Sequence, residues 1–300
     1  MQPSTPNGEW KTRAPLKHAR AAHAVVSTPT AIYALAGTGR GGQPVLEVER
    51  FDGKEWRAET ALPGDGLNAP AAVVHAQQIY LMGGFNTTTN IPSEQVLIYD
   101  LVSRAWSHAA PLPAPRGGHA AAILDGRIHV AGGGNSSSTI ADHSVYDPVG
   151  NTWAELAPLP RAEGSPALVA LAGRLFAIGG RSGPSDFGDV FIYDPAADHW
   201  AAGTAIEPRG TAGAVVYRGT IHLFGGEAQA TQTCLDSVLR LDLEQGVWTA
   251  LKPMPTARNF ARAVLFGDEV YVIGGCPTAG ASHSSEGSTL SESFHGRAGK

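Results

Sequence analysis

Runs of apolar residues that end in glycine recur along the chain. Each run is about four residues long and closes with residues that tolerate positive φ and close backbone approach, which predicts a buried strand ending in a tight turn. The first run, residues 32–37, ends in Ala-Gly instead of Gly-Gly. The five runs that end in Gly-Gly are residues 79–84, 128–133, 175–180, 221–226 and 270–275. Their spacing indicates a repeated unit.

A large apolar residue followed by Asp marks a further strand in five units. In four of these units that residue lies seven positions before a Trp, whereas Phe51 lies five positions before Trp56. Turn formers such as residues 148–151 lie between Asp and Trp, so two antiparallel strands joined by a tight connection are predicted. The tryptophans are Trp10, Trp56, Trp106, Trp153, Trp200 and Trp248, with gaps of 46, 50, 47, 47 and 48 residues. A period of roughly 40 to 50 residues is typical of stacked or radially arranged units.

The remaining segments complete a four-stranded unit. Pro-rich links follow the Trp segments, as at residues 111–113 and 158–160, and they are predicted to be loops because proline cannot donate to a sheet ladder. An Ala- and Val-rich segment comes next, for example residues 119–123, and its small side chains suit a strand crowded around an axis. Each unit is thus predicted to have an inner small-residue strand, a Gly-Gly strand, a Tyr-Asp strand and an outer Trp strand, which makes the fold all-β.

The double glycine, the Tyr-Asp-Pro and the spaced Trp resemble the signature of the Kelch-repeat family over nearly the whole chain. The resemblance implies a six-bladed β-propeller with four antiparallel strands per blade around a central channel. The last unit has no Trp after it, so residues 8–13, with Trp10, are predicted to supply its outer strand and close the ring. We expect a single domain over residues 1–300. The predicted blades are residues 18–60, 66–110, 115–157, 162–205, 209–252 and 258–296.

Composition narrows the range of partners and compartments. A net charge of −5 without a basic stripe argues against nucleic acid and anionic membranes as partners. No signal peptide or membrane span is expected, so the default location is the cytoplasm, with a secreted or periplasmic origin left open if a leader was removed. Cys234 and Cys276 are interpreted as two free thiols or as one bond between neighbouring blade loops. The Ser-, Gly- and Ala-rich residues 277–287 predict a long loop.

The loops that lead into the inner strands carry arginine in five units, and the sixth place holds Leu67. One hypothesis is a partial arginine ring at the channel mouth that binds anions, because the guanidinium fork suits carboxylates. The alternative is structural, with each arginine bonding the backbone of a neighbouring blade. The five arginines are Arg20, Arg116, Arg161, Arg209 and Arg258.

Residues directly after the paired glycines differ between the units. A structural role alone would keep them alike, so these differences point to function. Arg181 and Glu227 lie in adjacent blades and are predicted to face each other, either as a positive charge beside a general acid or base or as an ion pair across the rim. The set is Thr38, Phe85, Gly134 followed by Asn135, Arg181, Glu227 and Cys276.

Two histidines, His23 and His119, occupy equivalent places three residues after repeat arginines. We group them with the arginines, Phe85 and Asn135 as candidate ligand-binding residues. Their blades are not adjacent and no carboxylate or Cys is spaced with them, so neither a metal site nor any other cofactor is predicted.

The resemblance implies two classes of function. Kelch propellers serve as recognition domains that bind acidic peptides through one loop face. The main expectation is therefore a binding module for a protein segment or a small anionic ligand. An oligomer is compatible with this role. The repeat is also similar to that of galactose oxidase, but the Tyr/Cys radical site and His ligands of that copper enzyme do not map onto this sequence.

The alternative is a carbohydrate-active enzyme. Glu227 after the fifth glycine pair is similar to a residue of bacterial sialic-acid mutarotase, although Thr233 stands where that family has Arg. The likeness implies Glu227 as acid or base, with Arg181 as a candidate partner.

Overall fold

Six four-stranded antiparallel sheets form the molecule, as a computed structural model describes it for residues 8–280 and 287–296. Residues 281–286, within the predicted long loop, and residues 1–7 lie outside the described part of the chain. The strands of blades 1 to 3 are Ala24–Ser27, Ile32–Leu35, Glu47–Phe51 and Trp56–Ala61; Ala71–His75, Gln78–Met82, Val96–Asp100 and Trp106–His108; Ala120–Leu124, Arg127–Ala131, His143–Asp147 and Thr152–Leu156. Those of blades 4 to 6 are Ala167–Leu171, Arg174–Ile178, Val190–Asp194 and His199–Ala202; Gly213–Tyr217, Thr220–Phe224, Val238–Asp242 and Val247–Ala250; Arg262–Phe266, Glu269–Ile273, Ser291–His295 and Glu9–Thr12.

The blades surround a central channel. The inner strand of each blade packs against the inner strands of both neighbouring blades, and that of blade 6 packs against that of blade 1. Three short two-stranded sheets lie at the ends of blades 2, 4 and 5 and pair Leu67–Asn68 with Phe85–Asn86, Arg181–Ser182 with Ser185–Asp186, and Glu227–Ala228 with Thr233–Cys234. Helix is confined to two single 3₁₀ turns, and no helix in residues 8–280 or 287–296 could span a membrane. The predicted six-bladed, all-β propeller is confirmed.

The N-terminal strand closes the ring, as predicted. Glu9–Thr12 pairs with Ser291–His295 in antiparallel register, with Trp10 opposite Phe294. The two rings lie 5.2 Å apart between centroids, and the Trp10 indole nitrogen donates to the Lys252 carbonyl at 3.1 Å. The last blade therefore draws its outer strand from the opposite end of the chain and would otherwise expose a bare sheet edge.

Most of the spaced tryptophans join one blade to the one before it. The indole nitrogen of Trp153 donates to Ala110 and that of Trp200 to Ala157, in each case a carbonyl just after the outer strand of the preceding blade. Trp10, Trp56 and Trp248 make equivalent bonds, all at 2.9 to 3.1 Å. Trp106 is the exception, because its buried indole nitrogen has no partner in the described part of the chain. The repeated Trp thus holds neighbouring blades together as well as filling its own sheet.

The paired glycines join neighbouring blades through their backbone. The N–H of the second glycine donates to a carbonyl of the following blade, as Gly133 does to Glu163 at 2.9 Å. A Cβ atom on Gly132 would lie 2.5 Å from that same oxygen, and both glycines have positive φ, so a side chain fits neither the space nor the conformation. The six donor and acceptor pairs are Gly37 to Leu67, Gly84 to Arg116, Gly133 to Glu163, Gly180 to Arg209, Gly226 to Arg258 and Gly275 to Arg20.

Removal of residues 1–12 should destabilise the whole propeller, because it deletes a complete strand together with the Trp10 contacts. We expect the melting temperature to fall by several degrees at least, on the basis of a loss of about 3 kcal/mol for a tryptophan alone. Calorimetry of the full chain and the truncated chain measures this. A synthetic peptide of residues 8–13 should restore part of the stability, whereas unchanged melting of the truncated chain would contradict the closure.

Candidate functional site

The candidate site lies on the mouth face, which we define as the end of the ring where the glycine pairs end and the inner strands begin. A residue with left-handed backbone precedes each inner strand by two positions, with φ between 47° and 62°. Each of five of these residues donates its N–H to the equivalent carbonyl of the preceding blade at 2.6 to 3.2 Å. This backbone ring fixes the channel mouth. Its members are Ala22, Ala69, Gly118, Ser165, Thr211 and Phe260.

Four of the predicted arginines are buried inside the blades and do not line an open rim. Arg20 and Arg258 are fully buried and pair with the carboxylates of Glu49 at 2.7 Å and Glu292 at 2.9 Å. Arg116 donates to the carbonyls of its own blade, and Arg209 donates to Ser237 Oγ at 2.6 Å. Their guanidinium groups bind carbonyls, carboxylates and one hydroxyl of the protein, although Arg20 Nε and two nitrogens of Arg258 have no partner among the described residues. The assignment of these four residues to a ligand-binding ring is therefore corrected to a structural role.

Blade 4 has a carboxylate at the position where four blades have arginine and blade 2 has Leu67. Glu163 accepts the glycine N–H of the preceding blade and is fully buried, so it, and not Arg161, is the equivalent of the repeat arginines. Arg161 lies two residues earlier, is about one-third exposed, pairs with Asp189 at 2.7 Å and covers the Phe187 ring. Burial raises the pKa of Glu163 to about 8, and nearby Arg161 only partly offsets this. The predicted position of Arg161 in the ring is therefore wrong by two residues.

The two candidate histidines are also part of the packed interior. His23 and His119 are buried, and neither ring nitrogen of either residue has a hydrogen-bond partner in the described structure. Burial, followed by the charge of a nearby arginine, lowers the pKa of His119 to about 3 and that of His23 well below its usual value. Both are therefore neutral at physiological pH. Their assignment as ligand-binding residues is corrected for His23, whereas His119 lines the central channel.

A cavity of about 530 Å³ opens on the mouth face, and we call it the mouth cavity. Phe85 and Asn135, both half-buried, contribute to its wall, so these two sequence predictions lie at a real concavity. Asn135 Oδ1 accepts the N–H groups of Ser137 and Ser138, which shapes a short polar loop. The side chains and backbone that line the rest of the wall come from blades 2 to 6, among them residues 136–139, 164–165, Arg181, Gln229 and Phe260.

Arg181 and Glu227 face each other across adjacent blades, as predicted. Arg181 Nη1 lies 2.6 Å from Glu227 Oε1, but Glu227 is fully buried, so the pair is not a surface ion pair. Glu227 Oε2 accepts hydrogen bonds from Asn259 Nδ2 at 2.7 Å and from the Gly280 N–H at 2.8 Å. Both carboxylate oxygens are thereby occupied. Glu227 thus holds Arg181 against the wall of the mouth cavity and has no oxygen directed at a substrate.

The positive charge of Arg181 at the mouth cavity is offset by two neighbouring carboxylates, Glu227 and Asp186. Asp186 lies beside Arg181 and Glu227 and accepts the N–H of Gln229. Burial, and then the charge of Glu227, raises the pKa of Asp186, while the Gln229 bond and Arg181 lower it. Arg181 retains 20% exposure of its side chain and stands 5.4 Å from the Phe260 ring. The arginine at this wall is therefore balanced by carboxylates before any ligand arrives.

Several residues of the mouth face were missed by sequence reasoning. Glu163 was overlooked because Arg161, two residues away, was taken for the repeat position. The role of Asn259 could not be predicted because its partner Glu227 lies 32 positions before it in the sequence. Phe260 packs against Ala22 and Ala69 of the next two blades and covers that side of the mouth. No disulfide joins the two cysteines, and Cys234 Sγ lies 3.5 Å from the Cys276 carbonyl oxygen. Alignment of the six inner-strand starts would have exposed both Glu163 and Phe260 as exceptions.

Replacement of Glu163 should remove a pH dependence of stability. Its folded pKa of about 8 exceeds the ordinary value of 4.5, so the wild type is stabilised fully below pH 4.5 and loses stability as the pH rises towards 8. We expect Glu163→Gln to gain on the order of a few kcal/mol relative to the wild type between pH 5 and 8. Urea unfolding at several pH values measures the difference, with the exposed Glu155→Gln as the matched control. A constant difference between wild type and Glu163→Gln across this range would contradict the prediction.

Comparison with known proteins places this geometry in a family. The chain matches the Attractin/LZTR1 beta-propeller family over residues 79–295, which is more than half of its length. A structure described as "Structure of YjhT" superposes with a TM-score of 0.80 over 94% of this chain and 96% of that one, and at 14% identity it shows the fold alone.

Among curated relatives, alpha-scruin of Limulus polyphemus is 32% identical over 43% of this chain, and Kelch-like protein 35 of Mus musculus is 29% identical over 44%. The matched segments span only 14% and 22% of the lengths of those relatives. The glycine pairs, the spaced tryptophans, the six sheets and the family match agree: the chain belongs to the Attractin/LZTR1 beta-propeller family and is a Kelch-type propeller.

Proposed function

We propose that the propeller is a binding module that holds a protein segment in the mouth cavity. The observation that carries the proposal is a cavity of about 530 Å³ whose wall differs from blade to blade, because identical blades would have produced a symmetric mouth. A volume of this size lies in the ordinary range for ligand sites. The resemblance to Kelch recognition domains and the Kelch-like relatives support a protein partner.

Unused hydrogen-bonding groups supply the means of recognition. Four polar residues line the cavity with side chains that form no hydrogen bond within residues 8–280 and 287–296, namely Ser136, Ser138, Asn90 and Gln229. Such groups suit the alternating N–H and C=O groups of an extended backbone. Phe85 adds an apolar surface at one wall. The favoured ligand is therefore a segment recognised through hydrogen bonds and one apolar contact.

Binding of an anionic ligand at the arginine ring is not favoured. Arg20, Arg116, Arg209 and Arg258 are buried, and Arg181 is balanced by Glu227 and flanked by Asp186. Catalysis of mutarotase type is not favoured either. Both carboxylate oxygens of Glu227 already accept hydrogen bonds from the protein, and Thr233 stands where the sialic-acid mutarotase has arginine. A binding role for the mouth cavity requires neither a free carboxylate at Glu227 nor a catalytic arginine at position 233.

A blocking substitution in the mouth cavity should weaken peptide binding. Peptides selected on the wild-type propeller from a displayed library of random 12-residue sequences supply the probe, and fluorescence polarisation gives their Kd. We expect Ser136→Arg to weaken binding at least tenfold, which corresponds to about 1.4 kcal/mol, because the added side chain fills the cavity. Ser136 is exposed, so the fold should tolerate the change.

The matched control is Val149→Arg, which adds the same side chain to an exposed turn at the opposite end of blade 3. It should bind the selected peptides as the wild type does, and both variants should melt near the wild-type temperature. Equal binding by Ser136→Arg and wild type would refute the assigned face. Competition of the peptides by free neutral sugars would instead assign the cavity to carbohydrate.

A further inference from the structure

One blade places a charged side chain in the central channel. The first two residues of each inner strand line a channel cavity of about 190 Å³. At the first of these positions five blades have only Ala or Gly, which leaves the axis open. Blade 6 has Arg262 there. The five small equivalents are Ala24, Ala71, Ala120, Ala167 and Gly213.

Arg262 is half-buried and differs from Arg20, Arg116 and Arg258 because it has no anionic partner among the described residues. Its Nε donates to the His23 carbonyl at 2.9 Å, and this is its one hydrogen bond among the described residues. No Asp or Glu in residues 8–280 or 287–296 forms an ion pair with it, whereas Arg20 and Arg258 each pair with a buried carboxylate. Nη1 and Nη2 therefore remain as two parallel donors without an acceptor in this part of the chain.

Among the residues that the structure describes, no carboxylate near Arg262 compensates its positive charge. His119, which lines the same channel, and His23 face the guanidinium as neutral rings, and their pKa values are lowered in part by its charge. The rest of the lining consists of Ala, Gly, Pro, Val and Leu side chains and the Ser165 residue. Burial lowers the pKa of Arg262 to about 10, with no neighbouring group that raises it. A half-buried cation without an ion-pair partner gains stability from an anion small enough to reach it.

We propose that the central channel binds a small monocarboxylate, with Arg262 as the anion-binding residue. Two guanidinium N–H groups match the two oxygens of a carboxylate in a fork geometry that chloride cannot use. The Ala methyl groups around the axis provide an apolar wall for a short alkyl group such as that of acetate. The ligand has to be small because the channel cavity holds about 190 Å³.

This site is separate from the mouth cavity. The two cavities share Gly118 and Ser165, so the passage between them lies on the side of blades 3 and 4. Phe260 covers the mouth on the side of blades 6, 1 and 2 through its packing on Ala22 and Ala69. A protein segment in the mouth cavity and a small anion in the channel therefore use different side chains. Failure of one assignment leaves the other intact.

Arg262→Ala tests the site, since Ala occupies this position in four other blades and the fold accommodates it there. Wild-type protein should melt about 2 °C or more higher in 100 mM sodium acetate than in 100 mM sodium chloride at the same pH, as expected for a ligand bound with millimolar affinity. The acetate methyl signal should also gain saturation-transfer intensity from the wild-type protein. Both effects should disappear in Arg262→Ala and persist in Arg174→Ala, which removes an exposed arginine from the far end of blade 4.

Three results would overturn the proposal. Equal acetate effects in wild type and Arg262→Ala would show that the acetate acts elsewhere. Equal stabilisation by chloride and acetate would exclude a carboxylate as the ligand class. Loss of the acetate effect in Arg174→Ala would show a general charge effect. If Arg262→Ala melts far below the wild type, Arg262→Gln provides the same comparison with a side chain that retains the bond to the His23 carbonyl.

Discussion

The propeller depends on one repeated bond, in which the second residue of each glycine pair donates its N–H to a carbonyl of the next blade. The bond brings the backbones so close that a Cβ atom on the first glycine of a pair would collide with the acceptor, as the 2.5 Å separation at Gly132 shows, whereas blade 1 has Ala36 at this first position. It also needs positive φ, which glycine adopts without strain. The same step repeated six times turns separate sheets into a closed ring. The carbonyls that receive these bonds belong to the residues that lead into the inner strands, and this is why the channel mouth is built from backbone.

The buried arginines follow from that arrangement. Strand ends and tight turns leave carbonyls that the sheets do not use, and a buried guanidinium with five donors can satisfy several of them at once. Arg20 donates to the carbonyls of Ala36 and Glu47 as well as to the Glu49 carboxylate. Where a blade lacks this arginine the local chemistry changes. Blade 4 buries Glu163 with a raised pKa, and blade 2 fills the place with Leu67.

Much of the architecture could be predicted from the sequence because its determinants are local and repeated. The glycine pairs and spaced tryptophans fixed the number of blades, and the unpaired Trp10 indicated how the ring closes. The burial of the repeat arginines could not be predicted, because it depends on carbonyl groups that distant strands contribute. Arg161 was placed in the ring because it lies near the expected position, whereas the hydrogen bond from Gly133 shows that the true equivalent is Glu163. Arg262 differs from the Ala or Gly of the other inner strands in the sequence as well, but only the assembled channel shows that this position faces a cavity.

The central claim is that equivalent residues build the ring and that ligands bind where the blades differ. Amide hydrogen exchange, recorded with and without a saturating selected peptide, tests this most directly because it reports every loop on both faces. The account predicts added protection at residues 134–139, 181–186 and 227–233, and unchanged exchange at the opposite turns 125–126, 149–151 and 172–173. Protection confined to those opposite turns would contradict it.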